Sequence, residues 1–178
     1  MIVKDDVLSD HDLKKLREEF YNSPWMYDPH KVNIKEKRDD LHNHQLVHHL
    51  YMNYRPVSPL FEKTYPILNK LTSIGVPPLS IIRMKANMTF ATDIHYESGM
   101  HIDEQGLLDE SFDTGVWTAV YYFNNNNGYT LFEDGTKVES KANRLVIFDA
   151  YTEHCGVSCT DQKNRMVLNI NFISNLVD

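Results

Sequence analysis

Three runs of the chain decide its fold: GVWTAVYYFN at 115–124, NGYTLFEDG at 127–135 and NRLVIFD at 143–149. Each is rich in β-branched and aromatic residues, and each is bounded by Asn, Asp or Gly. Asn127-Gly128 and Asp134-Gly135 are turn signals, because these residue types tolerate positive φ. The pattern predicts strands at 115–124, 129–133, 136–139 and 143–148. Outward from this block the same texture continues, predicting strands at 80–90, 99–103, 153–158 and 165–173. About eight short strands in roughly 95 residues make a double-sheet jelly roll. A lipocalin-type barrel is the structural competitor.

The N-terminal part reads differently. Leu13, Leu16 and Phe20 recur at helical spacing after Ser9, which with Asp12 makes a weak capping box, so a helix is placed at 9–21. Residues 22–44 have no clean period, and the charged run Lys31–Asp40 reads as a solvated loop. Residues 45–55 form a short strand or turn. A second helix starts at Ser58 and Pro59, ends at Gly75, and is kinked or split by Pro66. The expected fold is therefore mainly β with N-terminal helices: a cupin-like double-stranded β-helix supported by two or three helices. Residues 1–178 form one domain, with 1–78 as helical support and loops and 79–174 as the β core.

Composition narrows the function. Eighteen Lys and Arg against 25 Asp and Glu give a net charge of −7, which argues against nucleic acid or an anionic membrane as partner. No apolar run approaches a spanning helix, and Met1–Asp10 lacks the apolar segment of a signal peptide. With only Cys155 and Cys159 there is no disulfide scaffold. The expectation is a cytoplasmic protein, in a bacterium or a phage-infected host cell. Oligomeric state is not readable from sequence.

Among the nine histidines, two stand in a metal-binding pattern. In Gly99-Met100-His101-Ile102-Asp103 a strand would turn His101 and Asp103 to one side. His154, at the start of a later strand, offers a third ligand. Two imidazoles and one carboxylate form the facial triad suited to non-haem Fe(II), with open positions for chemistry. In the last strand Arg165, Val167, Asn169 and Asn171 share one face, and Met166, Leu168, Ile170 and Phe172 the other. The first face can line a polar cavity in which Arg165 binds a carboxylate. Tyr122 shares a face with Thr118 and Val120 and can add a hydroxyl. His95 competes with His101 but lies in the polar, loop-like stretch ATDIHYESG. His42, His44, His48 and His49 lack a partner carboxylate and read as surface or packing residues, and the cysteines as small core residues.

From His101 to Phe172 the chain resembles the catalytic core of the Fe(II)/2-oxoglutarate-dependent dioxygenases. It is closest to the prolyl-4-hydroxylase-like branch and its small phage and marine microbial members. HID at 101–103, TAVYYFN at 118–124, NGYTLFEDG at 127–135, NRLVIFDAYTEH at 143–154 and the strand from Arg165 carry the resemblance, and IIRMKANM at 81–88 fits the first core strand. Asn127 replaces the first glycine of the family's Gly-Gly-x-Thr. The resemblance implies Fe(II) on His101, Asp103 and His154. It implies 2-oxoglutarate anchored by Arg165 with Tyr122, Asn169 near the iron, and Asn87 as a further cosubstrate contact. O₂ is the oxidant and ascorbate a candidate reductant. The implied reaction hydroxylates an unactivated C–H bond while 2-oxoglutarate goes to succinate and CO₂. The implied substrate is a peptidyl residue such as proline, with 104–114 bordering it. Alternatives are the same chemistry on a free amino acid or small metabolite, a non-catalytic cupin-like binding module, and a zinc or manganese hydrolase.

Overall fold

The computed structural model describes residues 1–31, 41–103 and 115–175. In chain order these contain β1 (Ile2–Lys4), α1 (Asp10–Tyr21), β2 (Met26–Asp28), β3 (Gln45–Met52), β4 (Arg55–Pro56), α2 (Leu60–Lys63) and α3 (Tyr65–Ser73). There follow β5 (Ser80–Phe90), β6 (Gly115–Tyr122), β7 (Tyr129–Phe132), β8 (Lys137–Glu139), β9 (Arg144–Asp149), β10 (His154–Val157) and β11 (Asn164–Ser174). The major sheet runs β1-β9-β6-β11-β5-β3-β2, with β4 on β3, and the minor sheet runs β10-β7-β8. Every pairing is antiparallel. This is the double-stranded β-helix, with three helices as its support.

Period-two alternation gives the major sheet two different faces. Outward-facing Met166, Leu168, Ile170 and Phe172 of β11 join Met84, Ala86 and Met88 of β5 under the helices, against Phe20 of α1 and Ile67 and Leu71 of α3. Each fully buried large side chain contributes roughly 1.5–3 kcal/mol. Inward, a smaller cluster of Val120, Tyr122, Val146, Phe148 and Val167 packs on Phe132 and Val138 of the minor sheet. The rest of that inner face is polar and holds the site.

Local signals explain most boundaries. The Ser9 side chain accepts from the Asp12 amide and starts α1. Pro66 lies in the first turn of α3, where its missing N–H costs nothing, so the second helix is split at Thr64. Gly135, at φ +84°, closes the β7–β8 hairpin, and the Asp134 side chain accepts from the Thr136 amide.

Three expectations are corrected. Residues 99–103 form no strand: His101 makes one isolated bridge, exchanging backbone hydrogen bonds of 3.0 Å with His154. The first 78 residues are not only helix and loop, because β1 to β4 extend the major sheet. In β3 the alternation was masked by His48 and His49, which stand where an apolar residue on the outer face and a plainly polar one on the inner face are expected. Asn127-Gly128 is not a hairpin turn. Neither residue has positive φ, and the segment crosses from one sheet to the other while the Asn127 side chain bonds Thr160. The positive-φ pair is Asn53-Tyr54 (52° and 61°), between β3 and β4. Most of the charged run Lys31–Asp40, and all of 104–114, lie outside the described residues.

Candidate metal centre and anion pocket

The inner face of the major sheet is ordered into rungs by strand register. One rung is Arg83, Asn171, Thr118 and Phe148; the next is His49, Lys85, Asn169, Val120 and Val146; the next is Val47, Asn87, Val167, Tyr122 and Arg144. The minor sheet lies across them and supplies the opposite wall of a cavity.

His101, Asp103 and His154 converge at the first rung, their ligand atoms all within 4.8 Å of one another. The Nε2 atoms of His101 and His154 stand 3.8 Å and 3.7 Å from the Asp103 carboxylate oxygens. Two metal–ligand bonds of about 2.1 Å span up to roughly 4.2 Å, so one ion reaches across either pair. Each ring is oriented by a carbonyl two residues earlier: His101 Nδ1 lies 3.1 Å from the Gly99 oxygen, and His154 Nδ1 lies 2.9 Å from that of Thr152. Such a bond puts the proton on Nδ1 and turns the Nε2 lone pair inward. The donor set fits a divalent transition metal.

Asp103 is held from behind. Thr118 Oγ1 donates to its Oδ2 at 2.9 Å and Asn171 Nδ2 at 3.1 Å, while the Arg83 guanidinium stands 3.6 Å from Oδ1. Asn171 in turn accepts two bonds from Arg83. Burial pushes the Asp103 carboxyl up, but His154, Arg83 and His101 outweigh it and hold it below the ordinary carboxylate range. His101 is lowered by burial and then by His154. The states favoured at neutral pH, carboxylate and neutral imidazole, are the ligating ones.

Arg165 lies at the other end, buried to 5% exposure. Its Nε donates to Ser140 Oγ at 2.8 Å and one terminal nitrogen to Thr130 Oγ1 at 3.1 Å. Among the described residues no carboxylate pairs with it, and burial pulls its pKa down. A cation so placed is expensive unless an anion joins it. Gly156 keeps the space open: a Cβ there would stand 3.5 Å from an Arg165 terminal nitrogen. Gly128 does so more tightly, since a Cβ would meet the Val157 carbonyl at 2.8 Å and Arg165 Cδ at 2.9 Å.

Tyr122 is fully buried and does not line the cavity. Its hydroxyl meets Thr130 Oγ1 at 2.7 Å, and its ring lies under the Arg165 guanidinium at 5.5 Å. Asn87 and Asn169 both line the cavity wall, and Asn87 Oδ1 is buried with no hydrogen-bond partner. Lys85, between Arg83 and Asn87 on the same face, also lines it; burial and then Arg83 lower its pKa.

Three other histidines are engaged elsewhere. His95 bonds the Ser158 carbonyl, His48 bridges the Pro24 carbonyl and Ser58, and His44 lies on the Leu41 carbonyl. Among the described residues only His101, Asp103 and His154 gather as metal ligands. Both cysteines are free and buried. Sequence reading did not single out Thr118, Asn171, Ser140 or Lys85. The polar, period-two face Arg83-Lys85-Asn87-Thr89 was the available signal for the last.

No family model matches the sequence, and no curated protein does. Solved structures match in fold. The viral collagen prolyl hydroxylase of Paramecium bursaria Chlorella virus-1, in complex with 2-oxoglutarate, has a TM-score of 0.61 at 15% identity, over 97% of this chain and 95% of that one. A Trichoplax adhaerens prolyl hydroxylase bound to a hypoxia inducible factor peptide has a TM-score of 0.62 at 11% identity, over 97% and 83%. HygX of Streptomyces hygroscopicus, with nickel, 2-oxoglutarate and hygromycin B, has a TM-score of 0.61 at 11% identity, over 97% and 82%. The chain has the double-stranded β-helix fold seen in structures of 2-oxoglutarate-Fe(II) oxygenases, prolyl hydroxylases among them.

Proposed function

We propose that this chain is an Fe(II)/2-oxoglutarate-dependent oxygenase that hydroxylates an unactivated C–H bond. One observation carries the reading. On β10, His154 at the triad and Gly156 beside the Arg165 guanidinium are two residues apart, a separation of about 7 Å. A five-carbon dicarboxylate bound to a metal through its 2-oxo acid end spans that interval.

In this reading His101, Asp103 and His154 hold Fe(II), and Thr118, Asn171 and Arg83 fix the carboxylate that binds it. Bound Fe(II) with 2-oxoglutarate and O₂ supplies the oxidative decarboxylation to succinate and CO₂ and puts one oxygen atom into the substrate C–H bond. Arg165 receives the distal carboxylate, with the Thr130 hydroxyl beside it. Tyr122 supports that pair from below, fixing Thr130 and facing the guanidinium with its ring. Asn87 offers an unspent amide to the cosubstrate, and Asn169 faces the interval between metal and anchor. The apolar residues Val120 and Val167 keep this end of the cavity dry, which strengthens every charge interaction in it.

The chain works as one domain, residues 1–178, with the helices bracing the major sheet. A peptidyl substrate such as proline is the first choice, because prolyl hydroxylases, one with a peptide bound, share the fold. A small metabolite is the second, favoured by the likeness to HygX with hygromycin B. The test is succinate release from 2-oxoglutarate in air with Fe(II) and ascorbate, against peptide and metabolite pools, followed by mass spectrometry. The expected result is succinate formation raised by one pool, with a product heavier by one oxygen atom. Absence of succinate with every pool, and without substrate, overturns the oxygenase reading.

A further inference from the structure

Once the triad and Arg165 are assigned to metal and cosubstrate, Lys31 and Lys85 remain as cations of the cavity lining, and Lys31 lies over the Tyr96 ring at 5.2 Å. The charges of Fe²⁺, the Asp103 carboxylate, doubly charged 2-oxoglutarate and Arg165 cancel. Lys85 lines the same cavity from the middle of β5, one rung from Arg83 and opposite Asn169. Among the described residues no carboxylate forms an ion pair with it. Asp103 is already engaged by Thr118 and Asn171, and Asp28 is bonded to Gln45. On the same strand face, Asn87 Oδ1 and Thr89 Oγ1 are buried with no hydrogen-bond partner. An ammonium group desolvated beside a guanidinium is unfavourable in the empty protein, and orphaned polar atoms next to it add to that cost. A strand face of this kind is built for a ligand with a negative group and polar substituents.

We propose that Lys85 is a specificity-determining residue that binds a carboxylate of the primary substrate. The inference rests on the oxygenase reading only in giving Arg165 to 2-oxoglutarate. It selects acidic substrates: an amino acid, a carboxylated metabolite, or a peptide presenting an acidic group close to the oxidised carbon.

The test uses paired probes, N-acetyl amino acids and the matching N-acetyl amino acid amides, N-acetyl-proline included. Binding is followed by ligand-observed NMR on the full chain loaded with Zn(II) and 2-oxoglutarate, and again on metal-free protein without 2-oxoglutarate. In wild type at least one acid is expected to bind ten-fold or more tightly than its amide. In Lys85→Met, a substitution of similar size, that preference should fall to within two-fold, while Lys85→Arg retains it and 2-oxoglutarate affinity stays within three-fold. Equal binding of every acid and amide by wild type, or a preference that survives Lys85→Met, overturns the proposal. A ten-fold loss of 2-oxoglutarate affinity in Lys85→Met also overturns it, by assigning Lys85 to the cosubstrate. If wild type binds no 2-oxoglutarate, the oxygenase reading fails, and the metal-free arm still decides the role of Lys85.

Discussion

Asp103 shows how single side chains set the chemistry. A carboxylate at 6% side-chain exposure survives as an anion only because two donors and the Arg83 charge meet it. Asn171→Ala removes one donor and loosens Arg83 as well, so metal affinity is expected to fall about 10–100-fold, measured by competition with a chelating dye. His101→Ala and Asp103→Ala should abolish succinate formation. Arg165→Ala should weaken 2-oxoglutarate binding by about 2–4 kcal/mol, or roughly 30–1,000-fold; an unchanged KM for 2-oxoglutarate contradicts the anchor. The gathering of His101, Asp103 and His154 could be anticipated from the short His-x-Asp spacing and a later histidine opening a strand, and Arg165 drew attention on the polar face of the last strand. Thr118 and Asn171 were not, because a buried threonine or asparagine in a strand looks the same whether it packs or orients a ligand.

At the level of elements, turns and edges carry the sharper lessons. The Asn53-Tyr54 pair holds a tyrosine at φ 61° with 79% of its surface exposed. Glycine adopts that backbone without cost, so Tyr54→Gly should stabilise the protein by about 0.5–1 kcal/mol in urea unfolding. Asp5, just after β1, lies 2.7 Å from Arg144 and 2.8 Å from Lys141, and hydrogen bonds from Arg144 and then Lys141 hold its pKa well below the usual carboxylate range. A depressed folded-state pKa stabilises above the unfolded value of 3.8 and loses that contribution as pH falls toward the folded one. The pair is a third exposed, so Asp5→Asn should cost about 0.5–1 kcal/mol at pH 7. Its difference from wild type should shrink as pH drops below 4. Strands 80–90 and 165–173 were readable because their outer faces alternate cleanly. The strand expected at 99–103 failed because a lone bridge to His154 positions His101 as effectively as a ladder does. Asn127-Gly128 misled because the Asn127 side chain bonds Thr160 and its amide donates to Asp161, while Gly128 is required by its close approach to Arg165.

At the scale of the whole molecule, one sheet does two jobs. Its outer face is an apolar bed for three helices, and its inner face is a polar wall with His101, Asp103 and His154 gathered at one end and a buried guanidinium at the other. Leu168 is fully buried on the outer face, so Leu168→Ala should cost about 2–5 kcal/mol in unfolding free energy while leaving the ligand set intact. The jelly-roll architecture was legible because turn residues punctuate short strands throughout the second half. The contribution of β1 to β4 was not, since short edge strands and histidine-bearing strands carry little periodic signal. The proposed activity requires the triad and Arg165 to act on one molecule of 2-oxoglutarate. Its most direct measurement is anaerobic titration of Fe(II) into the protein with 2-oxoglutarate, followed by visible absorption. The expected result is a weak metal-to-ligand charge-transfer band that saturates at one Fe(II) per chain, disappears on admission of air with formation of succinate, and is absent in His154→Ala. A titration that yields no band, and no succinate in air, contradicts the account.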